Sequence, residues 1–231
     1  MSVPSQSTAV QWHSIHTVFL DMDGTLLDLH FDDYFWSEHI PLRYAERKGI
    51  DLLAARGELE PHFRRMEGTI QWYCVDYWSG VLGLDVALLK REVEHLIGVH
   101  PHVVAFLEAL RRSGRRVVLV TNAHMKSLRL KMERTALAGH FDAVVCSHEL
   151  GHPKESQAFW SLLTAREAFD PQYTLLVDDS LPVLRAARTF GVRHLLAVSR
   201  PSSQRPARPV DEFPAIQRFD EIMPVDGDPS P

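Results

Sequence analysis

Four aspartates in two short clusters, Asp21-Met22-Asp23-Gly24-Thr25 and Asp178-Asp179-Ser180, each directly follow a short apolar run. Thr121-Asn122 follows a third such run, and Lys154 lies in Gly151-His152-Pro153-Lys154 shortly after a fourth. Brought to one crevice with only Lys154 as a nearby cation, the four carboxylates repel one another and raise their own pKa values. A hard divalent cation relieves that repulsion. An all-oxygen ligand set suits Mg²⁺, which typically sits on one or two carboxylates plus a substrate phosphate. Phosphoryl transfer is the chemistry such a set serves. One Asp can attack phosphorus to form an aspartyl phosphate, and a second, two residues on and on the same side of the strand, is placed to move the proton. Thr121 and Lys154 supply a hydroxyl and a positive charge for the phosphoryl oxygens.

The elements that must position these residues are legible in the apolar runs: Thr17-Val18-Phe19-Leu20, Val117-Val118-Leu119-Val120, Ala143-Val144-Val145, Thr174-Leu175-Leu176-Val177 and His194-Leu195-Leu196-Ala197-Val198. Each stops abruptly at polar residues, as strands buried on both faces do. Helical patterns alternate with them. Val103, Phe106, Leu107 and Leu110 repeat at helical spacing up to Ser113-Gly114, Phe159, Leu162 and Leu163 mark another helix, and Leu184, Ala187 and Phe190 a third closed by Gly191. The sum is an α/β fold, a doubly wound, Rossmann-like parallel sheet, whose ligands bind outside the carboxyl ends of the strands. Residues 30–98 are too many for one crossover between the first two strands. The helical patterns there (Leu42, Ala45, Glu46; Val86, Leu89, Val93, Leu96) predict a helical cap inserted after the first strand, with 13–29 and 99–200 as the core. The cap carries four of the five Tyr and three of the five Trp. Residues 201–231 hold seven of the fourteen prolines without sustained periodicity and read as a surface-wrapping or partly disordered tail.

In order and approximate spacing these motifs resemble the haloacid dehalogenase superfamily of phosphohydrolases over residues 17–200. The resemblance implies that Asp21 is the nucleophile and Asp23 the general acid and then base, with Thr121, Lys154 and Asp178-Asp179 as the second, third and fourth motifs. It further implies Mg²⁺ held by Asp21, the backbone carbonyl of Asp23 and the acidic pair, with Asp179 the direct ligand and Asp178 either direct or bracing it. An insertion between the first two motifs matches the superfamily's first cap type. Pro153 precedes Lys154, whereas many relatives have Lys followed by Pro, which bears on how the ammonium reaches the site. Asp23 argues against the dehalogenase branch, which lacks that second acid. The run Leu27 to Trp36, with Gly68-Thr69 and Trp72-Tyr73-Cys74, is similar to the bacterial GMP/IMP nucleotidases of the superfamily. That implies 5′-nucleotidase action on purine nucleoside monophosphates. Substrate contacts are then expected from Thr121, Asn122 and Lys154, and from Trp36 and Tyr34 near the hinge between core and cap, ahead of Trp72 or Trp78.

Each piece has a plainer reading: Asp and Gly serve turns, Thr121, Asn122 or Asp178-Asp179-Ser180 can cap helices, and aromatic clusters are more often core than base platforms. Their joint placement at strand exits favours the site. A sugar-phosphate or phosphoglycolate phosphatase, a phosphomutase, and a catalytically silent binding module are the competing functions. A net charge of −5 gives no basic field for nucleic acid. Two cysteines, Cys74 and Cys146, make no disulfide framework or thiolate zinc site and read as small core residues of a reducing compartment. Thirteen histidines show no paired metal-ligand spacing, though His30 and His152 lie beside motif residues. With no leader pattern at the N-terminus and no run of about 18 apolar residues, the expectation is a cytoplasmic protein with a small-molecule phosphate ester as partner and no membrane.

Overall fold

A computed structural model describes residues 10–224. Strand β1 (Thr17–Leu20) leads into an insertion of five helices: α1 (His30–Tyr34), α2 (Ile40–Lys48), α3 (Leu52–Met66), α4 (Val75–Leu82) and α5 (Val86–Glu92). A π-helical turn, Phe35–His39, joins α1 to α2, and a 3₁₀ turn, Ile70–Tyr73, precedes α4. The chain then alternates through α6 (Val103–Arg112), β2 (Arg116–Thr121), α7 (Met125–Thr135), β3 (Ala143–Cys146), α8 (Ser147–Leu150), α9 (Gln157–Arg166), β4 (Thr174–Asp178), α10 (Leu181–Phe190) and β5 (His194–Val198) to a short β6 (Ala215–Ile216). The strands form one parallel sheet in the order β3-β2-β1-β4-β5-β6.

The run of Val, Leu and Phe in each strand is continuous because both faces are covered. Val18 and Leu20 pack with Phe106 and Leu110 of α6 and Leu128 of α7 on one side. Phe19, one residue out of phase, packs with Phe159 and Leu163 of α9 and Leu184 of α10 on the other. A third apolar cluster belongs to the insertion alone and gathers Phe31, Phe35, Tyr44, Leu59, Trp78 and Val86. Its helices begin where the sequence supplies caps: the Asp51 carboxylate accepts from Ala54 N at 2.8 Å, and that of Asp85 from Leu88 N at 3.0 Å. In α2 the buried face is Ile40, Tyr44 and Ala45, while Leu42, read above as part of the periodic face, is exposed.

Two details were not legible in the sequence. The proline-rich segment is ordered by the sheet through residue 222: β6 pairs in parallel with β5, and Phe213, Ile216, Phe219 and Ile222 are buried. A two-residue strand is too short to show a period, so the sequence pattern missed it. Residues 225–231 of the expected tail lie outside the described residues. Cys146 is buried as expected, but Cys74 is half-buried at the start of α4, where its sulfur accepts from Tyr77 N at 3.4 Å. No helix among the described residues is long and apolar enough to cross a membrane.

Candidate active site

Sheet register decides which side chains meet. Leu20 pairs with Leu119 on one side and Val177 on the other, so one residue on, Asp21 comes level with Asp178 and one step short of Thr121. The Asp21 amide continues the ladder, donating to Val177 O at 3.0 Å. The chain then turns at Gly24, whose φ of +86° disfavours any side chain. Space excludes one as well: a Cβ there would stand 2.8 Å from Asp179 Cγ. Glycine at this position is therefore what lets the loop bearing Asp23 pass against the loop bearing Asp179.

Lys154 is fully buried and held at every polar atom. Its amide donates to Asn122 Oδ1 (2.9 Å), its carbonyl accepts from Trp160 Nε1 (2.8 Å), and Nζ reaches Val120 O (3.1 Å), Asp21 Oδ1 (2.5 Å) and Asp178 Oδ2 (2.7 Å). The Pro153-Lys154 order thus still delivers the ammonium to Asp21. Burial alone would lower the Lys154 pKa, but Asp178 and Asp21 outweigh it and hold the amine above its usual range. Asp21 is pushed up to about 6 by burial, with the Asp178 charge adding to it against the opposing pull of Lys154. Asp179 is raised by burial and by Asp21 and Asp178.

Lys154 is not the sole cation at the site, contrary to the sequence expectation. Lys131 of α7 donates to Asp23 Oδ1 and to Asp32 Oδ2, both at 2.6 Å, and Lys90 of α5 reaches Asp32 Oδ1 at 3.0 Å. Burial would raise Asp32, yet Lys131 and Lys90 hold it down at about 2. Asp23 moves the other way, up to about 6, because burial and the Asp32 and Asp21 charges outweigh Lys131. Both lysines had a legible signal. Lys131 follows Ser127 and Leu128 on the buried face of α7, and Lys90 follows Val86 by four on that of α5. A lysine at such a position needs a buried partner.

Above the carboxylates opens a cavity of about 470 Å³ with two kinds of wall, a size typical of small-molecule sites. Asp21, Asp23, Thr121, Lys154, Asp178 and Asp179 form the floor. Trp36, Phe63 and Trp72 from the insertion line the opposite side, set edge to face with Trp36–Phe63 centroids at 5.9 Å and Phe63–Trp72 at 6.3 Å. Trp78 is only 1% exposed and serves as the cluster's core. Tyr34 is not among the lining residues; it is exposed and stacks toward His39. Two residues apart on a helix point to opposite sides, so Tyr34 and Trp36 cannot share a wall. Asn122 lines the cavity, but its amide is engaged at both ends, by Lys154 N and by Glu155 Oε2 at 3.0 Å, so it braces the lysine loop. Thr121 Oγ1 accepts from Ala123 N at 3.0 Å, which leaves its proton free to donate. Neither His30 nor His152 lines the cavity, whereas His124 does. Tyr73, quoted above only as part of the Trp72-Tyr73-Cys74 run and given no role there, donates to Glu155 at 2.6 Å and ties the insertion to the core beside Lys154.

The expected tail also enters the site. The connection between β5 and β6 crosses the cavity mouth, with Leu29 N donating to Pro201 O (2.9 Å) and Ser203 N to Asp28 Oδ1 (3.0 Å). Arg208 donates to the Asp179 carbonyl, and Arg205 lines the cavity 3.1 Å from Asp33 Oδ2. Local sequence carries no sign of this. It follows from the pairing of β6 with β5.

Asp21, Asp178 and Asp179 each offer an oxygen within 4.8 Å of the others, a donor set suited to a hard divalent cation. Both Asp178 oxygens are engaged, one by Lys154 and one by Ser180 N at 2.9 Å. Among the described residues the Asp179 carboxylate has one ion-pair partner, Arg208 at 3.6 Å, which leaves it less engaged than Asp178.

Carboxylates at the exits of the central strands, a buried lysine and an inserted helical segment form a set suited to phosphate-ester hydrolysis. The chain belongs to the haloacid dehalogenase-like hydrolases, whose family model matches residues 15–191, and is a phosphoric monoester hydrolase. It is 36% identical over 215 residues to the GMP/IMP nucleotidase YrfG of Escherichia coli, covering 93% of this chain and 97% of that one. To a phosphoglycolate phosphatase of Nitrosospira multiformis it is 32% identical over 201 residues, 77% of this chain and 80% of the other. The crystal structure of a HAD phosphatase from Thermococcus onnurineus shares the fold, with a TM-score of 0.74 at 22% identity over 90% of this chain and 95% of that one.

Proposed function

We propose that the protein is a Mg²⁺-dependent 5′-nucleotidase hydrolysing purine nucleoside monophosphates, GMP and IMP first, through a phosphorylated aspartate. The observation that carries this reading is the two-walled cavity, which sets an aromatic side of Trp36, Phe63 and Trp72 across from the carboxylates and Lys154. It agrees with the 36% identity to a GMP/IMP nucleotidase. Stacking a base on an aromatic ring is worth about 1–3 kcal/mol. Free thiols at Cys74 and Cys146 fit a reducing, cytoplasmic setting.

In this mechanism an Asp21 oxygen attacks phosphorus while Asp23 gives its proton to the leaving 5′-oxygen. Asp23 then takes a proton from the water that hydrolyses the aspartyl phosphate. Its elevation to about 6 suits a group that must release and regain a proton near neutrality, and Lys131 fixes where its carboxylate points. Thr121 donates to the phosphoryl oxygens, and the positive charge of Lys154, held beside Asp21, offsets the negative charge that redistributes over them. Bound by Asp21, Asp179 and the Asp23 carbonyl, with Asp178 bracing, Mg²⁺ would neutralise carboxylate and phosphate charge together. The insertion, latched through Tyr73 and Glu155, keeps bulk water from the reaction.

Two results are expected from this site. Asp21, Asp23 and Asp179 have folded-state pKa values raised above those of the unfolded chain. The cation-free protein is therefore most stable below about pH 4 as far as these groups are concerned, and loses stability as pH rises to about 6 and beyond, by up to about 3 kcal/mol each for Asp21 and Asp23 and in the same direction for Asp179. The gain in Tm on adding MgCl₂ should accordingly be small at about pH 5 and large at about pH 7.5. A gain that does not vary with pH would argue against a cation at these carboxylates. Secondly, Trp36→Ala should lower kcat/KM for GMP about 5- to 150-fold more than for p-nitrophenyl phosphate. Equal losses would make Trp36 merely structural.

Phosphate release from a panel of GMP, IMP, AMP, phosphoglycolate and sugar phosphates tests the substrate assignment. GMP and IMP should lead. Phosphoglycolate leading would favour the activity named for the 32%-identical relative instead.

A further inference from the structure

The segment between β5 and β6 closes the cavity mouth with an arginine whose fork is largely unspent. Only Nη2 of Arg205 has a side-chain partner, Asp33 Oδ2 at 3.1 Å, and the side chain is 66% exposed. Its other guanidinium donors have no protein partner among the described residues. Around it the segment is pinned: Pro201 O accepts from Leu29 N and lies 3.1 Å from His100 Nε2, Ser203 N donates to Asp28, and Arg208 N donates to Ser199 O at 2.8 Å. A fixed backbone thus presents a guanidinium with unused donors at the rim of a cavity lined by the carboxylates and Lys154 as well as by aromatic side chains.

Guanidinium carries only donors, in a planar fork. Of the purine bases, guanine and hypoxanthine offer it two adjacent acceptors, O6 and N7. Adenine offers N7 beside an N6 amino group, which is itself a donor and faces the fork donor to donor. We propose that Arg205 is a specificity-determining residue that reads the O6/N7 edge of the base and selects 6-oxopurine monophosphates over adenine ones. This deepens the nucleotidase reading and rests on it. Asp33 lies beside the fork as its ion-pair partner, and the aromatic wall holds the base plane. The opposing ends of the cavity divide the work: the floor acts on any phosphate ester, and the rim chooses among bases.

The test compares kcat/KM for GMP, IMP, AMP and p-nitrophenyl phosphate in the wild type, Arg205→Ala and Arg205→Gln, all with Mg²⁺. A bidentate contact of this kind corresponds to about 5- to 150-fold in discrimination, so Arg205→Ala should reduce the GMP:AMP and IMP:AMP ratios by that factor. A glutamine amide can pair with adenine N6 and N7, so Arg205→Gln should shift the ratio further toward AMP. A purely structural role for Arg205 would slow all four substrates alike and leave both ratios where they stand, which overturns the proposal while the nucleotidase reading survives. A wild type that prefers nucleotides but does not separate GMP from AMP overturns it too. If the wild type hydrolyses phosphoglycolate ahead of every nucleotide, the nucleotidase reading itself fails, and this proposal with it.

Discussion

Asp21→Asn should leave a folded protein whose phosphate release falls by about 10⁴-fold or more. The amide keeps the volume and the strand-end geometry but loses the anionic oxygen that attacks phosphorus. The fold does not need that charge. Asp21 is buried, and burial together with Asp178 pushes its pKa up to about 6, which marks the ionised form as unfavourable where it stands. Lys154 retains Asp178, so the substitution strands no buried cation. Without added metal, Tm should therefore stay level or rise, by an amount corresponding to about 0.5–2 kcal/mol. Thermal unfolding and a phosphate-release assay on the same preparation check both halves. Loss of cooperative unfolding would make Asp21 a structural residue.

Lys154→Met is expected to fail in both respects. Methionine fills the space of the lysine stem but removes the only ammonium between Asp21 and Asp178, along with the donor to Val120 O. Removing one partner of a buried pair costs about 3–5 kcal/mol, or roughly 6–20 °C in Tm for a chain of this size. The sign with pH follows from the carboxylates left behind. Without Lys154 their folded-state pKa values rise further, so the deficit should be smallest near about pH 4 and grow toward neutrality. MgCl₂ should recover part of the stability but not the activity, because the positive charge that offsets the phosphoryl oxygens is still missing, at a cost of about 10²–10³ in kcat. Unfolding of the variant at the wild-type temperature at neutral pH would contradict the buried charge network described here.

The residues that sequence made legible are those whose position a strand end dictates. Asp21, Thr121 and Asp178 lie within one residue of the ends of β1, β2 and β4, and apolar runs of four or five residues locate such ends closely. Lys154, on a loop, was recognisable by its order among the motifs, and Asn122 in the structure explains how its loop is held. What sequence left hidden depends on packing between distant segments. Tyr34 and Trp36 looked equivalent until the helix turned them to opposite sides. Lys131, Lys90 and Asp32 come from three different helices, and their network exists only once the insertion docks on α7. Arg205 and Arg208 reach the site because β6, a strand of two residues, extends the sheet edge and draws the proline-rich segment back over the cavity mouth.

Intact-mass spectrometry of the Asp23→Asn protein should show directly whether Asp21 becomes phosphorylated during turnover. p-Nitrophenolate leaves without needing a proton, so this variant should still transfer the phosphoryl group from p-nitrophenyl phosphate in the presence of Mg²⁺. Without the Asp23 carboxylate to activate water, the intermediate should accumulate. The expected result is a gain of one phosphoryl group, mapped to Asp21 by peptide fragmentation and removed by hydroxylamine, as an acyl phosphate requires. No adduct under conditions where p-nitrophenolate is released, or an adduct on any residue other than Asp21, would contradict it.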